Sequence, residues 1–452
     1  MSQHNLKEVP MPKGLGALKT LIAFRNNPLQ TLYELKRKYG EIAGIYVGNR
    51  PLYFLFHPDH IKHVFIDHHY YYNKQNLLWK KLSPFLGEGL LTSEGDFWKK
   101  QRKLLQPIFH RDHISQLAKP MVETADLLTT QWQNHPSEQA IDIWQEMMRL
   151  TLQILGKTLL HVDFSEQAAN IRQCIDIIVS HVYWQSKRVI LLPSYLPTPR
   201  NRRFLGALKA FDGLIYQMIA ARRTLAQQPF DILGLLFGIE DESTHDKMSD
   251  KQMRDELMTF IFAGHETTAN ALAWTFYLIA QHPETQQKIH DELTKVLARQ
   301  SPSLQNLAQL TYLDAVLKES MRLYPPVWFL GRQTVQEDSI DGYRIPAGMT
   351  IMPSFYFTHR HEDFWERPDS FEPERFIQKQ GSEKHPYAYV PFGLGPRQCI
   401  GNRFATMEMQ LVLATLLQKF KIHLAPGYKV SIDAALTLRP KNGIKLLLEK
   451  KI

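Results

Sequence analysis

The chain has 452 residues, 44% hydrophobic and 22% charged, proportions that exclude a disordered or collagen-like polymer and allow a sizeable buried core. Lys and Arg exceed Asp and Glu by 54 − 45 = 9, but no Lys/Arg-rich run or nucleic-acid motif accompanies the excess, which reads as a solvated surface with no nucleic-acid partner. Two cysteines make no disulfide framework, and with no apolar leader or anchor in Met1–Pro10 a cytoplasmic protein without a membrane span is expected.

A length prior of ~150 residues per domain suggests two or three domains. No Ser/Gly-rich or Pro-rich linker and no internal repeat supports such a division, so residues 1–452 are read as one domain, with residues 1–10 expected to be disordered. In chain order, a helix is predicted over 29–39, then extended segments over 42–47 and 52–56 joined by Gly48-Asn49-Arg50-Pro51. From Gly95 the pattern is mostly helical, near 96–108, 113–133, 137–160, 204–226, 249–281, 283–298, 312–323 and 402–419. Short extended pieces are predicted at 335–340, 343–345 and 444–448. The fold class is therefore mainly α with small β-sheets. The most apolar stretch, Leu257–Ile279, is interrupted by His265, Glu266, Thr267, Thr268 and Asn270; Glu in hydrocarbon is costly, so it reads as a buried helix of a soluble fold.

Four segments carry chemistry. In Phe392-Gly393-Leu394-Gly395-Pro396-Arg397-Gln398-Cys399-Ile400-Gly401, Gly395 and Gly401 let backbone approach a flat group and turn N–H donors toward the sulfur, Phe392 supplies an aromatic cover, and Arg397 a cation that lowers the thiolate pKa. A buried cysteine in a glycine-rich turn is the simpler reading of any single such residue. Gly264 sits inside a helix, where glycine costs ~1 kcal/mol against alanine, beside Glu266 and Thr267, an acid and an alcohol; back-bonding of the threonine one turn up is the plain alternative. Glu319 and Arg322 share a helix face as an exposed pair would, with Arg375 downstream in Phe371-Glu372-Pro373-Glu374-Arg375-Phe376. Trp98 and Arg102 also share a face, either as donors to a carboxylate or as core tryptophan and surface arginine.

Together, in this order, these segments resemble the soluble cytochrome P-450 family, whose Phe-x-x-Gly-x-Arg-x-Cys-x-Gly signature spans 392–401; the resemblance runs from near residue 10 to the end. It implies a triangular, mainly helical fold and a heme b whose iron is ligated by Cys399, the thiolate favouring O–O cleavage of the co-substrate O2. Where one branch of the family carries a Glu that esterifies the heme, this chain has Ala263, which implies noncovalent heme. Ala263 and Gly264 would make room for dioxygen, and Glu266 and Thr267 would carry protons. Glu319, Arg322 and Arg375 would form a buried triad bracing the cysteine loop; Trp98, Arg102, Arg397 and Arg332 would donate to heme propionates. Alignment to the family puts Phe85, Leu86, Leu91, Ala263, Val327, Phe329 and Leu436 around the substrate. That apolar lining suits a hydrophobic small molecule such as a fatty acid, terpenoid or steroid. Arg50 could meet a fatty-acid carboxylate, although a solvated turn residue is the simpler reading. The implied activity is insertion of one oxygen atom into a C–H bond by a monomer, with electrons from a separate acidic ferredoxin or flavodoxin and its reductase. A peroxide-driven peroxygenase or isomerase, a heme gas sensor, and a scaffold without cofactor are the rival readings.

Overall fold

The computed structural model describes residues 6–48, 50–164, 168–186, 196–239, 247–378 and 385–451. Among these, the helices of ten residues or more are α1 (Leu15–Asn26), α2 (Pro28–Tyr39), α3 (Leu77–Leu86), α4 (Gly95–Leu105), α5 (Ala118–Gln133), α6 (Ile143–Leu155), α7 (Ala168–Ser186), α8 (Pro199–Arg223), α9 (Asp250–Gln281), α10 (Pro283–Leu297), α11 (Thr311–Leu323) and α12 (Asn402–Lys419). Their starts follow local chemistry. Pro28, Pro199 and Pro283 occupy first positions, where a missing N–H costs nothing. Asn27, Thr198 and Ser249 cap α2, α8 and α9 by accepting the N–H of Gln30, Asn201 and Gln252. α9 and α12 are apolar on most sides and are buried accordingly.

The short strands are β1 (Lys7–Glu8), β2 (Ile42–Val47), β3 (Arg50–Leu55), β4 (Tyr72–Asn73), β5 (Ile141–Asp142), β6 (Arg332–Thr334), β7 (Asp338–Ile340), β8 (Tyr343–Ile345), β9 (Thr350–Pro353), β10 (Phe420–Leu424), β11 (Ile432–Ala434), β12 (Leu438–Pro440) and β13 (Lys445–Lys450). A five-stranded sheet runs β2-β3-β9-β6-β4. Its hairpin registers Ile42 opposite Leu55, and β3 pairs in parallel with β9, Leu52 beside Thr350. Smaller sheets run β1-β8-β7, β10-β13-β5 and β11-β12.

Several expectations change. Residues 7 and 8 are not disordered but pair with Tyr343 and Arg344; residues 1–5 lie outside the described part. The expected helix 137–160 starts only at Ile143, because Ile141 and Asp142 pair with Leu446 and Lys445, and it ends in a π-turn over Gly156–Leu160. The expected helix 113–133 is split into Arg111–Gln116 and α5. α1, α3 and α7 were not predicted. α7 is rich in β-branched Ile and Val, poor helix formers alone, and packs on α8, with His181 stacked on Phe204 at 4.0 Å between ring centroids. Among the described residues one helix, α8, is long and apolar enough to cross a membrane by length and composition, and 28% of its apolar window is buried; Leu257–Ile279, read from the sequence as a buried helix, lies within α9 and is mostly buried.

Candidate active site

Residues 390–401 form a loop pinned from several directions before it enters α12. Val390 N–H donates to His359 Nε2 at 2.9 Å. Within the loop Gly393 N–H reaches Val390 O, Gln398 N–H reaches Gly395 O, and Cys399 N–H reaches Phe392 O, each at 3.0 Å. Gly395 has φ +72, and a Cβ there would stand 2.0 Å from the carbonyl oxygen of Phe65, so no other residue fits. A Cβ on Gly401 would meet Phe109 at an ordinary 3.6 Å; protein packing does not demand that glycine. Phe109 in turn stacks on Phe260 of α9 at 5.8 Å, which brings the cysteine loop and the middle of α9 to one place.

Cys399 retains surface although protein atoms crowd it, as a residue lining an internal cleft does. Burial pushes its thiol up; the Gly401 N–H and the Arg102 guanidinium pull it down. The cation acting on the sulfur is thus Arg102, whose Nη1 also donates to Gln398 O at 2.7 Å, and not Arg397 as the sequence suggested. Arg397 turns away: Nη1 donates to Ser93 O at 2.9 Å, Nη2 pairs with Glu94 at 2.8 Å, and its guanidinium lies 3.7 Å over the Trp98 ring.

Around these residues positive charge is concentrated. Arg332 is buried over the Phe65 ring, and its Nη1 donates to Gly331 O at 3.1 Å. Burial pushes Arg332 and Arg397 down to about 10. Lys74, which sequence reasoning missed, is buried, donates to Leu91 O at 2.6 Å and lies 4.9 Å from the Trp79 ring. Burial, with repulsion from Arg397 and Arg332, holds its ammonium well below the ordinary lysine range. Among the described residues, four cations, Lys74, Arg102, Arg332 and Arg397, therefore gather beside one carboxylate, Glu94. No sequence signal marks Lys74, because its partners lie on other elements.

On α9, Ala263, Gly264 and Thr267 keep partial exposure while most of their neighbours are buried. Thr267 Oγ1 donates to Ala263 O at 2.7 Å. Glu266 is buried and accepts from Thr437 Oγ1 at 2.7 Å; Asn270 Nδ2 donates to Thr437 Oγ1 at 3.2 Å, while Asn270 Oδ1 accepts from Trp144 Nε1 at 2.7 Å. The acid and the alcohol, adjacent in sequence, therefore project in different directions, as a helix with 3.6 residues per turn requires. A Cβ on Gly264 would meet Leu155 Cδ1 at 2.5 Å, so close approach of α6 is one visible reason for this glycine.

Glu319, Arg322 and Arg375 are brought together in the interior, 0%, 0% and 2% exposed, which excludes the weak exposed pair as their description. Arg322 grips Glu319 with Nε at 2.7 Å and Nη2 at 2.8 Å, and Arg375 Nε reaches Glu319 at 3.3 Å. Arg322 also donates to the carbonyls of His359, Pro368 and Ser370. His359 passes this order to the loop through Val390. Burial and the adjacent Arg322 push its imidazole down to about 3, so it stays a neutral acceptor.

Among the expected pocket residues, Phe85, Leu86, Leu91 and Leu436 belong to the main helical core that contains α9, and Phe85 meets Phe262 edge to face at 5.2 Å. Leu436 neighbours Thr437, the partner of Glu266. Phe392 and Trp98 pack on the same core. Val327 and Phe329 pack instead into two clusters on the sheet side, flanking Trp328. Arg50 is exposed at the start of β3.

Compared with known families, residues 10–448 match the one described as Cytochrome P450. The chain is similar to cyclooctatin synthase of Streptomyces melanosporofaciens, 32% identical over 421 residues covering 93% of this chain and 91% of that protein. It is 29% identical to cyclooctat-9-en-7-ol 5-monooxygenase of the same organism, over 92% of this chain and 90% of the relative. A cytokinin hydroxylase of Arabidopsis thaliana is 31% identical over 91% of this chain and 82% of that protein.

Proposed function

The chain belongs to the cytochrome P450 family and is a monooxygenase of that family, and we propose that it inserts oxygen into a C–H bond of a terpenoid-like hydrocarbon, using electrons from an acidic ferredoxin or flavodoxin. The family implies a heme–thiolate group and a redox partner. The donor set fits the heme: a single sulfur with its own backbone N–H donor, beside four cations that one carboxylate leaves unbalanced. That imbalance is the observation carrying the reading, because two propionates would offset most of it. Cys399 would hold the iron, and Lys74, Trp98, Arg102, Arg332 and Arg397 the propionates. When bound, the heme supplies dioxygen activation, which thiolate ligation favours.

The protein's residues do the rest. Thr267 places its hydroxyl on the partly open face of α9, where it back-bonds to Ala263 O and keeps its oxygen lone pairs as acceptors, and Glu266, fixed by Thr437, is the acid one residue away. Because their side chains diverge, a proton passes from Glu266 to Thr267 through a bridging water or a rotamer change. Phe85, Leu91 and Leu436 exclude water and bind by apolar contact. The terpenoid assignment rests on this lining and on the carbocyclic alcohol named in one relative. For the redox partner, Lys99, Lys100, Lys103 and Arg403 are exposed on α4 and α12, which flank the cysteine loop, and the chain carries a net +9. Reduction by an acidic carrier is expected to slow as ionic strength rises.

A binding screen of terpenoids, fatty acids and steroids, followed by the Soret shift and then by turnover under labelled dioxygen, tests the proposal. Labelled hydroxylated terpenoid that requires an electron donor is expected. Turnover with peroxide alone, or a response confined to fatty acids, would overturn it.

A further inference from the structure

Away from the active-site cations, His63, His68 and Asp338 place three ligand atoms within 4.8 Å of one another. Two histidines five residues apart would lie on opposed faces of an α-helix. Here residues 63–67 form a π-turn, closed by His68 N–H to His63 O at 2.9 Å, and the widened turn brings the two rings to the same side, centroids 4.0 Å apart and planes inclined at 56°. Both aim at one carboxylate: His63 Nε2 is 2.7 Å from Asp338 Oδ2, and His68 Nδ1 is 3.2 Å from Oδ1 and 3.4 Å from Oδ2. That carboxylate is itself oriented, by Tyr72 Oη at 2.5 Å and Ser339 N–H at 2.8 Å, the kind of outer support that metal-ligating carboxylates receive.

We propose that His63 Nε2, His68 Nδ1 and Asp338 form a Zn2+ site that clamps the π-turn to β7. Two imidazoles and a carboxylate are a zinc donor set with one position left for water. With metal–ligand bonds of about 2.1 Å, tetrahedral ligands stand about 3.4 Å apart. The distances from His68 already match that spacing, and His63 needs to withdraw by about 0.7 Å. Each neutral imidazole frees the required lone pair by carrying its proton on the other ring nitrogen. The Asp338 side chain is 4% exposed while those of His63 and His68 are 20% and 36% exposed, so the anion is sheltered and the ion has an entry path. The clamped turn carries Phe65, whose carbonyl abuts Gly395 and whose ring underlies Arg332; the ion would stiffen the support of the cysteine loop without touching it.

A second group, His57, His361 and Asp363, also converges, and the test separates the two. Untagged, heme-loaded protein stripped with chelator is titrated with zinc chloride by calorimetry and by equilibrium dialysis, beside His68→Ala, His63→Ala and His57→Ala. Saturable binding is expected in wild type and in His57→Ala, with at least a tenfold loss of affinity in His68→Ala and His63→Ala, a zinc-dependent rise in thermal midpoint that these two variants lack, and an unchanged Soret band. His68 is exposed enough that its variant should fold even if His63→Ala does not. No saturable binding by wild type, or zinc affinity retained in His68→Ala, would overturn the proposal.

Discussion

Glu256 offers a test whose size follows from its surroundings. It lies on α9, 0% exposed, and accepts the Leu90 N–H at 2.9 Å through Oε2, while Oε1 has no hydrogen-bond partner among the described residues. Burial raises its carboxyl from 4.5 to about 8, the Leu90 N–H opposing and Asp255 adding to the shift. Between those values the folded chain keeps a proton that the unfolded chain releases, so this residue's contribution is undiminished below about pH 4.5 and stability falls as pH rises toward 8. At about 1.4 kcal/mol per pH unit the cost reaches about 3 kcal/mol at pH 7. Glu256→Gln keeps a carbonyl for Leu90 but buries an amide N–H2 at a cost of ~1–3 kcal/mol, so the net gain at pH 7 is small. The slope is the sharper readout. In urea titrations between about pH 5 and about pH 7, ΔG of the variant minus ΔG of wild type should grow by about 2–3 kcal/mol. Depressed histidines such as His359 impose an opposite slope on both proteins and cancel in the difference. Parallel pH profiles would refute the claim that Glu256 is protonated in the folded state at neutral pH.

Arg322→Ala leaves the buried Glu319 with only the longer Arg375 contact and the Glu372 N–H, and strands three carbonyls; breaking a buried ion pair costs ~3–5 kcal/mol, and heme per purified chain should fall sharply, with Arg322→Lys intermediate. Gly395→Ala meets the Phe65 carbonyl at 2.0 Å with φ +72, at ~1–2 kcal/mol for the left-handed backbone and ~1–3 more for overpacking; the thermal midpoint should drop and the carbon monoxide difference spectrum should lose thiolate character. Lys74→Met removes a buried cation while keeping its stem, so the apoprotein should gain stability in urea as heme transfer to apomyoglobin accelerates; slower apoprotein unfolding with unchanged transfer would contradict the propionate role. Thr267→Ala should divert electrons from product to peroxide, read as the ratio of product formed to reductant consumed, and intact coupling would remove Thr267 from the proton path.

What the chain reveals before folding depends on how far apart the interacting parts lie. α2, α9, α10, α11 and α12 were legible to within a few residues because caps, prolines and apolar period are local. The cysteine loop was legible because its turns are written in its own glycines. β9 escaped, since nothing near Thr350 announces that it will lie beside Leu52, and so did α7, whose helix depends on packing against α8. The same distinction runs through the active site. Trp98 and Arg102 share one helix and could be paired on paper, but the place of Lys74 depends on Leu91 O and Trp79, and the turning of Arg397 toward Glu94 on a contact 303 residues away. The divergence of Glu266 from Thr267 was implicit in helical geometry, yet its cause, Thr437 in the β11–β12 turn, was not.

The insertion of β9 between β3 and β6 also has a consequence for synthesis on the ribosome. The inner edge of the β2–β3 hairpin can be covered only after about 300 further residues have emerged, roughly 15–60 s at ordinary elongation rates. Throughout that interval β3 offers bare N–H and C=O groups next to the apolar Phe54 and Leu55, a template for pairing with neighbouring nascent chains. Expression yield should therefore be governed by chaperone supply and translation speed more than by the stability of the finished protein.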